Sequence, residues 1–176
     1  MKMNDIISPP SKWVSEMIAR IEPGGTLIDI ACGRGRHSIE FSKKFFIYSV
    51  DKNNEFLNNL KNNMNIKTIC QDLENQQKWS FSDKKFNVVL VTNYLFREKL
   101  NAIFSLVDLN GYIIYETFAI GNEKYGRPSN PNYLLKKNEL LLFKPDNFDK
   151  IEFFEGLKIE NSKKSIVQRL FAKRIS

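Results

Sequence analysis

Short apolar runs alternating with amphipathic segments predict an α/β protein, a mostly parallel sheet covered by helices on both faces. Three observations carry this prediction. Residues 26–31, 46–50, Ile66–Cys70, Phe86–Thr92 and 112–118 have strand length, and most are separated by stretches of helical spacing. Val88-Val89-Leu90-Val91 is continuously apolar, as a central strand buried on both sides must be. The last strand-like stretches, residues 150–154 and 165–174, lack an intervening helix-length segment, so they pair antiparallel at one edge.

The elements follow in order. Trp13, Val14, Met17, Ile18 and Ile21 mark a first helix with Ser11 as N-cap, stopped by Pro23-Gly24-Gly25. The first strand runs into the turn Cys32-Gly33-Arg34-Gly35, and a short helix follows with Lys43 and Lys44 in its last turn. Residues 54–62 form a helix with Leu57 and Leu60 inward. Phe96, Leu100, Ile103, Phe104 and Val107 mark another, closed by Asn110-Gly111. A long loop leads to a short helix at residues 134–142.

At 176 residues the chain has the length of one domain, and 42% hydrophobic with 27% charged residues is an ordinary globular composition. No apolar run approaches the roughly 18 residues of a membrane helix, and Met1-Lys2-Met3-Asn4-Asp5 lacks the apolar stretch of a signal peptide. A cytoplasmic location is expected. Two cysteines and one histidine cannot build a four-ligand zinc site, so no metal is expected, and Cys32 and Cys70 read as reduced thiols. The net charge of +7 is concentrated near the C-terminus, where Lys158, Lys163, Lys164, Arg169, Lys173 and Arg174 face only Glu160. That keeps nucleic acid open as a partner, but no interleaved aromatics accompany the charge.

In a parallel sheet ligands bind beyond the carboxyl ends of the strands. The turn after the first strand is glycine-rich, and Gly33 and Gly35 let the backbone approach a ligand closely. A dinucleotide fingerprint would place a third glycine where Ser38 stands. Asp51 ends the second strand, eighteen residues after Gly33, where a carboxylate can accept both hydroxyls of a ribose; Asp72 ends the third, placed to accept an adenine amino group. Each aspartate alone could merely cap a turn. Together, in register with the glycine turn, they read as a nucleoside site.

The segment Leu27-Ile28-Asp29-Ile30-Ala31-Cys32-Gly33-Arg34-Gly35 resembles the first motif of class I S-adenosylmethionine-dependent methyltransferases. Val50-Asp51 resembles their second, Cys70-Gln71-Asp72-Leu73 the third and Val89-Leu90-Val91-Thr92-Asn93-Tyr94 the fourth. Gly33-Arg34-Gly35-Arg36 with Asp51-Lys52-Asn53 is similar to the tellurite-resistance (TehB-like) branch. Tyr115-Glu116-Thr117-Phe118, Tyr125-Gly126-Arg127-Pro128 and Val167-Gln168-Arg169 resemble a group of small bacterial methyltransferases. Ala31 departs from the glycine many of these enzymes carry, and the Asn-Pro-Pro-Tyr signature of enzymes acting on base amino groups is absent.

The resemblance implies a Rossmann-like, mostly parallel seven-stranded sheet with an antiparallel edge strand, and S-adenosylmethionine as cofactor. It implies one domain over 1–176: an N-terminal lid helix at 1–22, a cofactor-binding core at 23–118, an acceptor loop and helix at 119–142, and edge strands at 143–176. Asp29, Gly33 and Gly35 would shape the methionine pocket, with Arg36 facing its carboxylate. Asp51 would hold the ribose, with Asp72 and Leu73 at the adenine, and Ala31, Lys52 and Gln71 are further cofactor-binding candidates. Thr92, Asn93 and Tyr94 would line the floor. Glu116 and Tyr94 are the catalytic candidates, with Glu116 alternatively paired to Arg127. Trp13, His37, Phe118, Tyr125 and Arg127 are the candidates for binding a small-molecule acceptor. RNA or protein methylation, and a non-catalytic nucleotide-binding module, are the alternatives.

Overall fold

The computed structural model describes residues 7–75 and 77–176. The stretch Met1–Asp5 and the start of the expected lid segment lie outside the described residues. Seven strands form one sheet in the order β3-β2-β1-β4-β5-β7-β6, mostly parallel with antiparallel pairing at one edge, as the sequence predicts. Two compact units divide the chain, Met1–Trp79 and Ser80–Ser176.

The first unit contains α1 (Lys12–Ala19), β1 (Thr26–Ile30), α2 (Arg36–Phe41), β2 (Phe46–Asp51), α3 (Asn54–Asn58) and β3 (Ile66–Cys70). The β1–β2 and β2–β3 pairs are parallel, with Asp29 beside Ser49 and Asp51 beside Cys70. Helix α1 buries Trp13, Val14, Met17 and Ile18, the stripe its periodicity marks. Ser11 precedes it but makes no side-chain cap. Asn53 caps α3 by accepting the N–H groups of Glu55 and Phe56. That helix ends at Asn58 instead of residue 62, since Asn58, Asn59, Asn62 and Asn63 favour turns, while Leu57 and Leu60 stay buried as expected.

The second unit contains β4 (Phe86–Thr92), α4 (Leu100–Ser105), β5 (Val107–Phe118), α5 (Glu139–Phe143), β6 (Phe148–Glu160) and β7 (Lys163–Arg174). Strand β4 is parallel to β5, and β7 is antiparallel to both β5 and β6. Val88 to Val91 are fully buried. The helix predicted to reach Val107 ends at Ser105, because Val107 pairs with Phe86 and a β-branched side chain packs well there. The final hairpin is longer than predicted. Its two-residue turn, Asn161-Ser162, has both φ values positive, at 49° and 61°, the conformation that matches strand twist. Charged Glu155, Lys158 and Glu160 obscured the strand pattern there. No helix among the described residues is long and apolar enough to cross a membrane.

Candidate functional site

The turn between β1 and α2 is held from beneath by β2. The Cys32 N–H donates to the Val50 carbonyl at 2.9 Å, and the Gly33 N–H to Asp51 Oδ2 at 2.8 Å. Asp51 Oδ1 accepts the Asn53 N–H at 2.8 Å. Each carboxylate oxygen thus has one backbone donor and keeps acceptor capacity for a ligand. Gly33 has φ +57°, and nothing lies within 4 Å of where a side chain would stand. Gly35 has φ +76°, and a Cβ there would approach Leu60 to 2.6 Å, so only glycine fits. A ligand can therefore reach the backbone at Gly33.

Ala31 also sits in the left-handed region, at φ 54°. A side chain in that conformation costs roughly 1–2 kcal/mol, while glycine costs about 0.4–1 kcal/mol through the unfolded chain. Ala31→Gly is therefore expected to stabilise the protein by about 0.5–1 kcal/mol, raising its thermal midpoint by a few degrees in a melting experiment.

Asp29 is fully buried beneath the turn. Its Oδ2 accepts the Ser38 hydroxyl at 2.7 Å, and Ser49 donates to Ser38 Oγ at 2.7 Å; Oδ1 has no hydrogen-bond partner among the described residues. Burial, against the opposing pull of Ser38 and Arg36, pushes its pKa up to about 7. A carboxyl whose folded pKa is raised takes up a proton on folding, so its stabilising effect is complete below about pH 4 and is lost as pH rises to 7. Asp29→Asn keeps the Ser38 acceptor and cannot ionise, though a new buried donor costs about 1–3 kcal/mol. Denaturation at a series of pH values should show a flattened slope between pH 4 and 7, with the variant more stable at pH 8 by about 2 kcal/mol. Burial, reinforced by Asp29 and Asp51, pushes the Cys32 thiol far up; it donates to the Gly33 carbonyl and is not a nucleophile.

Arg36 Nη1 donates to the Pro9 carbonyl at 3.3 Å, and His37 Nε2 accepts the Ser11 N–H at 3.1 Å. Two consecutive residues of α2 thus hold the segment leading into α1. The Gln71 N–H donates to the Asp51 carbonyl at 3.0 Å, which brings the end of β3 to the end of β2. Asp72 is exposed and its Oδ1 caps a turn through the Glu74 N–H at 2.9 Å, while Leu73 is buried. Lys52 is exposed.

In the second unit, the ends of β4 and β5 are locked together. The Asn93 N–H donates to the Glu116 carbonyl at 2.9 Å, with Asn93 at φ 54°, and the Tyr115 hydroxyl donates to the Tyr94 carbonyl at 2.9 Å. Burial, with Tyr94 and Glu139 nearby, raises the Tyr115 phenol, so it remains a donor. Asn122 is buried: its amide donates to the Pro128 carbonyl at 3.0 Å, and its Oδ1 accepts the Ile166 N–H at 3.1 Å. Arg97 binds Glu139 with two nitrogens, at 2.6 and 2.9 Å, and also donates to the carbonyls of Asn132 and Leu134. Burial would raise the Glu139 carboxyl, but Arg97 and the Lys136 N–H outweigh it and hold it low. The loop after β5 is fixed at both ends.

Comparison with known proteins shows what this arrangement is similar to. Residues 27–108 match a family described as methyltransferase domain. Over residues 27–108 the chain is similar to methyltransferase domains. The structure is similar to TehB from Haemophilus influenzae, at 21% identity and TM-score 0.72 over 94% of this chain; the chain spans 62% of that protein's length. It is also similar to a methyltransferase from Methanosarcina mazei (13% identity, TM-score 0.70, 96% of this chain and 99% of that one). Another similar structure is a methyltransferase from Aquifex aeolicus (15%, 0.65, 93% and 88%). At these identities the likeness shows the fold. No curated protein sequence matches.

The turn fits S-adenosylmethionine, the cofactor that the motif resemblance implies. Open space at Gly33 and acceptor capacity on Asp51 suit a ligand carrying hydroxyls. Two readings of site residues change. Glu116, read as a catalytic base or as a partner of Arg127, is fully buried and has both oxygens taken, by Lys158 at 2.7 Å and Arg169 at 2.6 Å. It would have to release a cation before taking a proton. His37, read as touching the acceptor, is 1% exposed and committed to Ser11. Trp13 is buried in α1, and Phe118 is half-buried. Tyr125 and Arg127 stand exposed on the loop.

Sequence reasoning missed Ser38 and Ser49, both fully buried. The signal was Ser38 standing at the third-glycine position. It also missed Asn122 and the Arg97–Glu139 pair, for which a charge at 97 and its partner 42 residues away leave no local pattern.

Proposed function

We propose that this domain transfers the methyl group of S-adenosylmethionine to a small-molecule acceptor. The carrying observation is the open backbone at Gly33 secured by the Asp51 carboxylate. When bound, the cofactor supplies an electrophilic methyl on a sulfonium, so in-line alignment and exclusion of water carry much of the acceleration. Asp51, with Lys52, holds the ribose hydroxyls; Gln71, Asp72 and Leu73 hold the adenine. Asp29 and the turn of Ala31, Gly33 and Gly35 shape the methionine end, with Arg36 at its carboxylate. Arg36 and His37 position the segment before α1 through Pro9 and Ser11, and α1 acts as the lid.

Thr92, Asn93 and Tyr94 form the floor, and the loop from Gly121 to Pro131 forms the acceptor side. Tyr125 is 45% exposed, and Arg127 makes no hydrogen bond or ion pair among the described residues. Arg127 is therefore available to a ligand. Glu116 anchors β5 to β6 and β7 through Lys158 and Arg169.

The charge pattern favours a small acceptor over RNA. Lys158 and Arg169 are spent on Glu116, Arg174 donates to the Val107 carbonyl, and Lys173 lies 5.7 Å from the Tyr112 ring centre. Lys163 and Lys164 remain exposed at the hairpin tip. Neutralising both to glutamine should leave turnover within about twofold, since exposed charges without partners contribute little. A matching loss of turnover and RNA binding would overturn this. The function itself is tested with methyl-labelled cofactor offered a mixed metabolite pool, total RNA and protein. Label entering only small molecules supports the proposal, and label entering RNA or protein contradicts it.

A further inference from the structure

The two edges of the sheet are built differently. At one, β3 has five residues, short enough to offer little to an incoming strand. At the other, β6 has thirteen residues, above the roughly 3–10 usual for a strand, and no proline. It is last in the sheet order, so a row of its backbone N–H and C=O groups has no strand beside it among the described residues. Ile151, Phe154, Leu157 and Ile159 are exposed along it. A bulge between Lys150 and Glu152 confines the regular part to residues from Glu152 onward.

Pairing with β7 assigns the faces. Glu152, Phe154, Gly156 and Lys158 share a face with Arg169, and Phe153, Glu155 and Leu157 share the other with Gln168. An identical strand added antiparallel about a two-fold axis normal to the sheet keeps each face, so the axis passes through a residue. The residue types select which one. An axis at Gly156 sets Glu152 against Glu160, and one at Phe154 sets Phe153 against Glu155. An axis at Leu157 sets Phe154 against Glu160, and one at Lys158 sets two lysines face to face. An axis at Glu155 instead sets Glu152 against Lys158, Phe153 against Leu157 and Phe154 against Gly156. Opposite charges and apolar pairs are the stabilising combinations across a ladder.

The side chains are disposed for that register. Two carboxylates would meet at the axis, but Glu155 Oε2 accepts the Asn138 N–H at 2.6 Å and Gln168 Nε2 at 2.9 Å. Gln168 lies on β7, so this carboxylate leans away from the open edge. Lys158 donates to Glu116 at 2.7 Å and to Glu160 at 2.9 Å, and its third N–H remains for another carboxylate. The Phe154 ring reaches along its own strand to Gly156, where a Cβ would lie 3.1 Å from Phe154 Cζ.

We propose that β6 is the interface of a homodimer, in which two copies pair antiparallel about Glu155 and one sheet runs through both. The ladder spans Glu152 to Lys158, about 20 Å. It carries a Glu152–Lys158 ion pair and a Phe153–Leu157 contact on each side of the axis, and it brings the two Phe154 rings side by side over glycine. A ladder of this length is a small interface, so association is weak, in the micromolar range.

The test is sedimentation equilibrium of the full chain from micromolar to near-millimolar concentration, with amide hydrogen exchange read by NMR at both ends of that range. At high concentration the species should have twice the chain mass, and alternate amides within residues 152–158 should exchange at least tenfold more slowly. Glu152→Lys sets lysine against Lys158 on both sides of the axis and should raise the dissociation constant at least tenfold. Leu157→Lys, at an exposed position, should do the same with an unchanged thermal midpoint. A chain that stays monomeric at every concentration, a dimer with unchanged exchange at residues 152–158, or folded variants that dimerise as tightly as wild type would each overturn the assignment.

Discussion

Arg127→Ala is expected to lose methyl transfer by at least two orders of magnitude while keeping wild-type cofactor affinity and thermal midpoint. Arg127 is exposed and unpartnered among the described residues, so its removal breaks nothing that holds the fold. The loop carrying it is secured by other residues. Asn122 joins it to Pro128 and Ile166, the Gly121 N–H donates to Glu123, and Arg97 clamps the segment that follows. A fixed charge on a fixed loop can orient an acceptor, and misplacing a reacting group by about 1 Å costs on the order of 100-fold. Paired single-turnover and melting measurements check this. Should the variant melt lower yet turn over normally per folded molecule, the loop is scaffold and the acceptor binds elsewhere.

Asp51→Ala should weaken S-adenosylmethionine binding by about 1.5–3 kcal/mol, roughly 10- to 150-fold, the range for hydrogen bonds to a charged group. The carboxylate fixes the Gly33 and Asn53 N–H groups, and in the proposed function its remaining lone pairs meet a ribose. Asp51→Asn separates these roles, because one amide oxygen can hold Gly33 while the second acceptor is lost. The expected order of affinity is wild type, Asn, Ala, measured by calorimetry on variants first shown to be folded. Equal affinities across the three would remove Asp51 from the site.

The parallel strands were legible because burial on both faces forces continuous apolar runs, and the glycine turn because two left-handed positions need glycine. Asp51 was legible from its place at a strand end. The partners of Glu116 were not. Lys158 and Arg169 lie 42 and 53 residues further along, on strands whose alternation was masked by edge charges. A carboxylate in the apolar run Ile113 to Phe118 nevertheless announces that cations must be found for it. The end of α4 was misread because helical spacing through Val107 continued into residues that the sheet recruits. Asp29 was read as part of a motif, but its buried relay to Ser38 and Ser49 depends on β1–β2 register, which periodicity does not encode.

Calorimetric titration of the full chain with S-adenosylmethionine, and in parallel with NAD, tests the central claim most directly. The account predicts saturable one-to-one binding of S-adenosylmethionine and no binding of NAD, since Ser38 stands at the third-glycine position and lies buried against Asp29. Absence of S-adenosylmethionine binding by the folded chain, or NAD binding of equal strength, would contradict it.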